Sequence, residues 1–167
     1  MTSFHSLFPE LAMREVCCLH FGPGSALPAG EYIYLEFYCE DLACDCRRMF
    51  LQVISPTEPG RVFASINYGW EKESFYRKRM PYDPEAATGL VKGELDPINE
   101  QSEFAELLLK GFQEFVLDEV YRLRVRRHHR LFREELARRA KGTARDSTGG
   151  NSATPEGGDA GESERDL

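Results

Sequence analysis

Four short apolar segments, separated by turns, occupy the first half of this chain and constrain its fold more than any other feature. Aromatic and β-branched residues are frequent in them, which favours strands, and proline and glycine stand between them. The connections are short, so an antiparallel meander is the economical arrangement. The predicted strands cover residues 13–21, 32–39, 47–55 and 61–69.

The second half of the chain predicts helices. Residues 70–80 form a short helical segment that ends before a proline, and the stretch 81–100, punctuated by Pro and Gly, indicates mainly loop. Ser102 is a predicted N-cap for a helix over residues 103–117. A further helix is predicted over 118–141. The fold class is therefore α+β, with a small antiparallel β-sheet of about four strands followed by two or three helices.

Charge divides the chain into three parts. Residues 1–120 carry ten Lys/Arg and twenty Asp/Glu, residues 121–141 carry nine and two, and residues 142–167 carry two and six. The last part has one apolar side chain larger than alanine, the final leucine, and too little apolar surface to offset the entropy of ordering it. We therefore predict a single domain over residues 1–141 and a disordered acidic tail over 142–167.

Composition bears on the cellular compartment. The chain has no apolar run near 18 residues, so a membrane span is not expected. Its first residues lack a basic region followed by an apolar stretch, which argues against a secretory signal. Five cysteines, an odd number, favour a reducing compartment over a disulfide framework. The expected location is the cytoplasm.

Three cysteines lie close together between the second and third predicted strands. Cys39 ends one strand, and Cys44 and Cys46 precede the next, so the pattern C-x4-C-x-C occupies a hairpin loop. Zinc needs sulfurs that converge around one ion at about 2.3 Å from each ligand. The ends of two strands and a tight turn can bring them together, so we predict Zn²⁺ bound by these cysteines.

Other interpretations of the cysteine loop stay open. The thiols could be unligated, with Cys39 as a small buried hydrophobe. A redox role is less favoured, because C-x-C is strained as a disulfide. The spacing also differs from paired C-x2-C ribbons and from Cys2His2 fingers, so it does not specify zinc by itself.

His128 is the first candidate for the fourth ligand. It shares a helix face with Tyr121, Val125, Phe132 and Leu136, so it is predicted to point toward the core. A closed site with this histidine would tie the hairpin to the last helix, and chelation would then melt the fold. The alternatives are a buried histidine satisfied by a hydrogen bond, and water in the fourth position, which would indicate catalysis.

Several short segments of the chain resemble a known protein family. Glu36-Phe-Tyr-Cys, Cys44-Asp-Cys-Arg-Arg and INYGWE at 66–71, together with a helical ending that includes Arg127-His128, resemble an uncharacterised bacterial protein family. The likeness covers roughly residues 14 to 133. It implies that the cysteine loop and the region of His128 belong to the pattern of that family, and it implies no activity.

The arginine-rich last helix provides an alternative function. Its arginines could follow a phosphate backbone, or they could pair with the acidic body of the protein. The candidate nucleic-acid ligands are Arg122, Arg124, Arg126, Arg127 and Arg130. Phosphate loops, dinucleotide fingerprints and nucleophile elbows are missing from the sequence. The sequence therefore favours a zinc-binding interaction module with an unknown protein partner, then a nucleic-acid-binding protein, and last a metal-dependent enzyme.

Overall fold

An antiparallel sheet forms the centre of the protein. The computed structural model describes residues 1–146, and within them the sheet has six strands, paired in the order β1-β3-β4-β5-β6 with β2 also on β3. The strands are Thr2–Ser3 (β1), Cys17–Phe21 (β2), Gly30–Tyr38 (β3), Arg48–Ile54 (β4), Val62–Gly69 (β5) and Glu94–Leu95 (β6). The α+β class is thus confirmed, with more strands than the sequence predicts.

Helices precede and follow the long strands. They are Phe4–Leu7 (α1), Pro9–Glu15 (α2), Glu73–Arg79 (α3), Pro84–Lys92 (α4), Ala105–Gly111 (α5) and Glu119–Asp146 (α6), with one π-helical segment at Phe112–Val116 directly after α5. None of these helices in the described part of the chain combines the length and apolar character that crossing a membrane requires.

One face of the sheet is covered by α5 and α6, and the core lies between them. Alternate residues of β3 are buried toward these helices because successive side chains in a strand point to opposite faces. The hydroxyl of Tyr34 donates to the carbonyl of Leu108 on α5 at 2.9 Å, and that of Tyr38 to the carbonyl of Val125 on α6 at 3.4 Å. These bonds fix both helices to the sheet.

The edge of the sheet beyond β3 is divided between two strands. β1 pairs with Phe37 and Tyr38, whereas β2 pairs with residues 30–34 of the same strand. Leu35 and Glu36 lie in the gap between them. The chain crosses this gap as α1 and α2, which lead from β1 to β2.

Several predicted boundaries differ from the structure. The strand predicted over 13–21 begins only at Cys17, because residues 9–15 form α2 with proline in its first turn. The segment 81–100, predicted as mainly loop, contains α4. Its N-cap is Asp83, whose Oδ1 accepts the amide of Ala86 at 2.9 Å.

The remaining differences lie near the C-terminus. The helix predicted over 103–117 is α5 followed by the π-helical segment, and Ser102 caps the preceding turn by accepting the amide of Phe104 at 3.1 Å. The last helix runs to Asp146, past the predicted boundary at residue 141. Residues 147–167 of the predicted disordered tail lie outside the described residues.

Candidate metal centre

The β3–β4 hairpin brings together the three cysteines that the sequence indicates. The sulfur atoms of Cys39, Cys44 and Cys46 all lie within 4.8 Å of one another. A tetrahedral zinc ion with sulfur at about 2.3 Å separates its ligands by about 3.8 Å. All five cysteines of the chain are free thiols. The hairpin therefore holds its three thiols close to the arrangement that a thiolate metal centre requires.

A tight turn at Asp41 places Cys44 and Cys46 opposite Cys39. The carboxylate of Asp41 accepts the amide of Ala43 at 2.8 Å, and its backbone carbonyl accepts the amide of Cys44 at 3.1 Å. The amide of Cys46 then donates to the sulfur of Cys44 at 3.3 Å. An aspartate at a turn start commonly bonds the backbone two residues on, so the local sequence itself favours this shape.

Arginines from two helices fix the loop from outside. Arg133 of α6 donates to the carbonyl of Asp41 at 2.5 Å and to that of Leu42 at 2.6 Å. Asp45 accepts Arg79 of α3 at 2.9 Å and Arg47 at 3.3 Å. The backbone of the loop is thus held by protein contacts alone.

A close approach at the end of β5 supports the second half of the loop. The hydroxyl of Tyr76 on α3 donates to the carbonyl of Arg47 and accepts the amide of Glu71. The ring of Tyr76 lies so close to Gly69 that a Cβ atom there would be 2.5 Å from it. Only glycine at this position lets α3 reach the cysteine loop.

Cys44 and Cys46 do not ionise alike. A hydrogen bond with the thiol of Cys46 lowers the pKa of Cys44, and the backbone amide of Cys46 adds to this effect. Burial, with hydrogen bonds to Cys44 and Cys39, raises the pKa of Cys46 to about 12.

A cleft opens beside the cysteines on the face of the sheet away from α5 and α6. Its volume is about 490 Å³, and its other lining residues include Phe37, Phe50 and the polar side chains of Arg48, Gln52, Asn67, Asp96 and Asn99. Partial burial alone would raise the pKa of Asp96. Hydrogen bonds from Asn67, Asn99 and the amide of Ile98 outweigh it and lower the pKa.

The predicted fourth ligand, His128, lies elsewhere. It is 1% exposed, as its position on the helix face predicts. From α6 its ring points toward α1 and the covered face of β3. Its Nδ1 is 2.7 Å from Oε2 of Glu36 and its Nε2 is 2.9 Å from Oε2 of Glu15. The ring stacks on Phe4 with centroids 4.2 Å apart. The structure therefore does not bring His128 to the cysteines, and both its ring nitrogens are engaged.

The hydrogen bonds of His128 also limit where the protons of this cluster can lie. An ionised carboxylate only accepts hydrogen bonds, so each ring nitrogen must donate, or one carboxyl group must carry a proton. Glu36 receives a further bond from the hydroxyl of Tyr38 at 2.8 Å. Burial raises the pKa of Tyr38 far above its usual value, so this hydroxyl stays protonated and donates. The result is a chain of contacts through Tyr38, Glu36, His128 and Glu15, which is buried except at Glu15, whose side chain is 24% exposed.

Most of the candidate nucleic-acid ligands on α6 have partners within the protein. Arg124 donates to the sulfur of Cys17 at 2.6 Å, Arg126 to Glu71 at 2.8 Å, and Arg127 to Glu15. Arg122 pairs with Glu119 one turn before it. Among the described residues Arg130 alone of the five has no such partner. Three of the five, Arg122, Arg126 and Arg127, thus pair with carboxylates.

The sequence did not indicate the residues that support the cysteine loop or those that surround His128. Arg133 and Tyr76 fix the cysteine loop, and Glu15 completes the contacts of His128. Glu15 could not be recognised as a partner of His128, because the sequence predicts a strand over its segment. Pro9 at the helix start was the local signal for α2.

Comparison with known proteins returns no relative. No protein-family model, no curated protein and no solved structure matches this chain. The resemblance to an uncharacterised bacterial family stays a prediction, and any function must be argued from the geometry above.

Proposed function

We propose that this chain is a zinc-binding protein that acts as an interaction module. Cys39, Cys44 and Cys46 would hold the ion at the turn of the β3–β4 hairpin. The observation that supports this most is the convergence of the three sulfur atoms within 4.8 Å of one another. Thiolates are soft ligands, which suit zinc and disfavour magnesium and calcium.

The fourth coordination position is assigned to a group from outside the described residues. His128 has both nitrogens on carboxylates, whereas the cysteines line an open cleft. A cysteine or histidine of a protein partner that enters the cleft would complete a tetrahedral site. The metal then serves as the anchor of an interface rather than as an isolated structural staple.

A second candidate function is a metal-dependent enzyme with water in the fourth position. The cleft beside the cysteines favours it, because catalytic zinc sites keep one position open to substrate. Asp96 lines this cleft, and the hydrogen bonds that lower its pKa keep it ionised at neutral pH. In this function Asp96 would accept a hydrogen bond from a water on the ion and orient it.

The first experiment measures metal in the purified, untagged protein by elemental analysis, with thiol titration before and after chelation. We expect one zinc per chain and three thiols that become reactive only after chelation. Cys44→Ser should lose the zinc, whereas Cys18→Ser, an exposed cysteine outside the cluster, should keep it. A metal-free protein with five freely titrating thiols would refute the zinc assignment.

A second experiment addresses the fourth position. His128→Gln should keep its zinc, and loss of zinc without loss of fold would return the histidine to the ligand set. In the Co²⁺-loaded protein, added imidazole should change the visible spectrum if the fourth position is open. An unchanged spectrum would indicate a closed site and contradict both the interface and the enzyme.

A variant of Asp96 then distinguishes the two candidate functions. Asp96→Asn should leave the imidazole response of the Co²⁺ protein unchanged if the position serves a partner's ligand. If the metal binds a catalytic water that donates a hydrogen bond to Asp96, the pH dependence of the spectrum should shift in this variant. The alternative of nucleic-acid binding predicts salt-sensitive affinity for DNA or RNA.

A further inference from the structure

A second cavity lies in the gap between β1 and β2, at the divided edge of the sheet. Its volume is about 300 Å³, and it shares no lining residue with the cleft beside the cysteines. Most of its wall is apolar, formed by Phe4, Ala12, Met13, Val16, Ile33, Leu35 and Ile54. Helices α1 and α2 cover it, and Leu35 and Glu36 of β3 form its floor, where neither β1 nor β2 pairs with them.

The polar side chains of this cavity are the carboxylates of Glu36 and Glu15 with His128 between them, the ring of His5, and Tyr34, whose hydroxyl donates to the carbonyl of Leu108. Among the described residues, every hydrogen bond of Glu36 and Glu15 is accepted by Oε2. The Oε1 atoms of both residues have no hydrogen-bond partner among the described residues. The side chain of Glu36 is only 8% exposed, so its free oxygen belongs to a carboxylate that is almost fully buried at the cavity wall.

This arrangement selects the chemistry of a ligand. A carboxylate in a mostly apolar wall is poorly solvated, and a charged donor is its strongest partner. The nitrogens of His128 are occupied and Arg127 is bound to Glu15. At its buried wall the cavity therefore offers carboxylate oxygens, whereas His5 is exposed to solvent. An apolar body would replace water along the remaining wall.

We propose that this cavity binds a small apolar primary amine. Its protonated amino group donates to the free oxygen of Glu36, with Glu15 adding negative charge at the same end, and its hydrocarbon part lies against Ile33, Leu35 and Ile54. At roughly 30 Å³ for each water-sized group, the volume takes about ten non-hydrogen atoms. A phenylethyl or hexyl amine is of this size.

The test compares three molecules of similar size, 2-phenylethylamine, 2-phenylethanol and phenylacetate, by NMR titration of the full chain. We expect the amine to bind at least tenfold more tightly than the other two. Its shifts should be confined to the methyl groups of Ala12, Val16, Leu35 and Ile54. Equal affinities, tighter binding of the acid, or shifts elsewhere in the protein would overturn the proposal.

Two variants separate the polar and apolar parts of the cavity. Glu36→Gln removes the charge, so it should reduce amine affinity about tenfold and leave the alcohol nearly unchanged. Ala12→Leu fills the apolar part and should weaken all three molecules, and it tests the proposal even if Glu36→Gln fails to fold. Unchanged amine binding in Ala12→Leu would contradict the site.

The matched control lies in the other cleft. Cys44→Ser removes a candidate metal ligand and touches no residue of this cavity, so amine binding should be the same as in the unmodified protein. Amine binding that depends on Cys44 would place the ligand at the metal centre instead, and would overturn the assignment.

Discussion

At the scale of single residues, His129 shows how burial sets a protonation state. The ring lies between Trp70, 4.8 Å away between centroids, and Tyr38, 5.8 Å away. Burial there lowers the pKa of His129, and the positive charges of Arg133 and Arg47 lower it further, against the opposing charge of Asp45. The neutral ring is therefore the form that the folded protein prefers.

This environment predicts a pH dependence of stability. The folded-state pKa of His129 lies below its unfolded value of about 6.5, so the unfolded state takes up the proton more readily. The stability that neutral His129 contributes is present above about pH 6.5 and is lost as the pH falls below it. Urea unfolding of the unmodified protein and of His129→Gln at pH 7.5 and 5.5 measures this.

The glutamine variant is the reference, because its side chain does not titrate. The unmodified protein should lose more unfolding free energy than His129→Gln between the two pH values. The same loss in both proteins would show that His129 does not contribute to the pH dependence.

A second prediction at the scale of single residues concerns the substitution of Gly69. Ala at this position puts a methyl group against the ring of Tyr76, so α3 must move and the unfolding free energy should fall by about 1–3 kcal/mol. Zinc affinity should fall with it, because Tyr76 holds the carbonyl of Arg47. Urea unfolding and zinc titration measure the two effects.

Gly142→Ala is the matched control for this substitution. It lies in α6 with no atom within 4 Å of the added Cβ, so the change should be neutral or stabilising by about 0.5 kcal/mol. If the two alanine variants were equally stable, the close packing of Tyr76 on Gly69 would be disproved.

At the scale of elements, α6 acts as the support of the cysteine loop. Arg133 bonds two carbonyl groups of that loop and is remote from the sulfur atoms in sequence. Arg133→Met should therefore weaken zinc binding about tenfold, as loss of a supporting hydrogen bond does at other metal sites, and should leave the fold intact. Competition with a chromophoric chelator measures the affinity.

The control for this prediction is on the same helix. Arg130→Met removes an arginine that has no partner among the described residues, and should leave zinc affinity unchanged. Equal weakening in both variants would indicate a general effect of helix charge instead of the bonds of Arg133.

The elements also show what sequence patterns can and cannot predict. The long strands β3, β4 and β5 were predictable because aromatic and β-branched residues run between clear turn signals. The strands β1 and β6 have two residues each, too few for any periodicity. The helix α4 was missed because its Pro and Gly suggested loop, although Asp83-Pro84 is a favourable helix start.

The same limit applies to the polar clusters. The spacing of three cysteines around one hairpin is local, so the sequence could indicate their convergence. Helical periodicity could also predict that His128 is buried. Its carboxylate partners are 92 and 113 positions away along the chain, and such contacts depend on the whole topology. This is why a buried hydrogen-bonded histidine and a metal ligand could not be told apart.

At the scale of the whole molecule, metal binding and folding are expected to be only weakly coupled. None of the three clustered cysteines belongs to the apolar core between the sheet and its helices, and arginines already hold their loop. With zinc at about 100-fold its dissociation constant, chelation should lower the melting temperature by about 5–10 °C. Calorimetry and circular dichroism with and without chelator measure this.

The sequence analysis expects chelation to melt the fold, because it places His128 in a closed zinc site. The small change in melting temperature replaces that expectation. The secondary structure at 25 °C should be the same in both states. Complete unfolding on removal of zinc would show that the metal is part of the folding nucleus after all.

The divided edge of the sheet has a consequence for the behaviour of the protein in solution. A long, straight border strand offers a continuous row of free amide and carbonyl groups, onto which another chain can add a strand of its own. Here one border is split into strands of five and two residues, and the border strand at the other side has two residues. Neither border can template a long intermolecular ribbon. The gap that forms a cavity thus also protects an aromatic-rich sheet from fibrous aggregation.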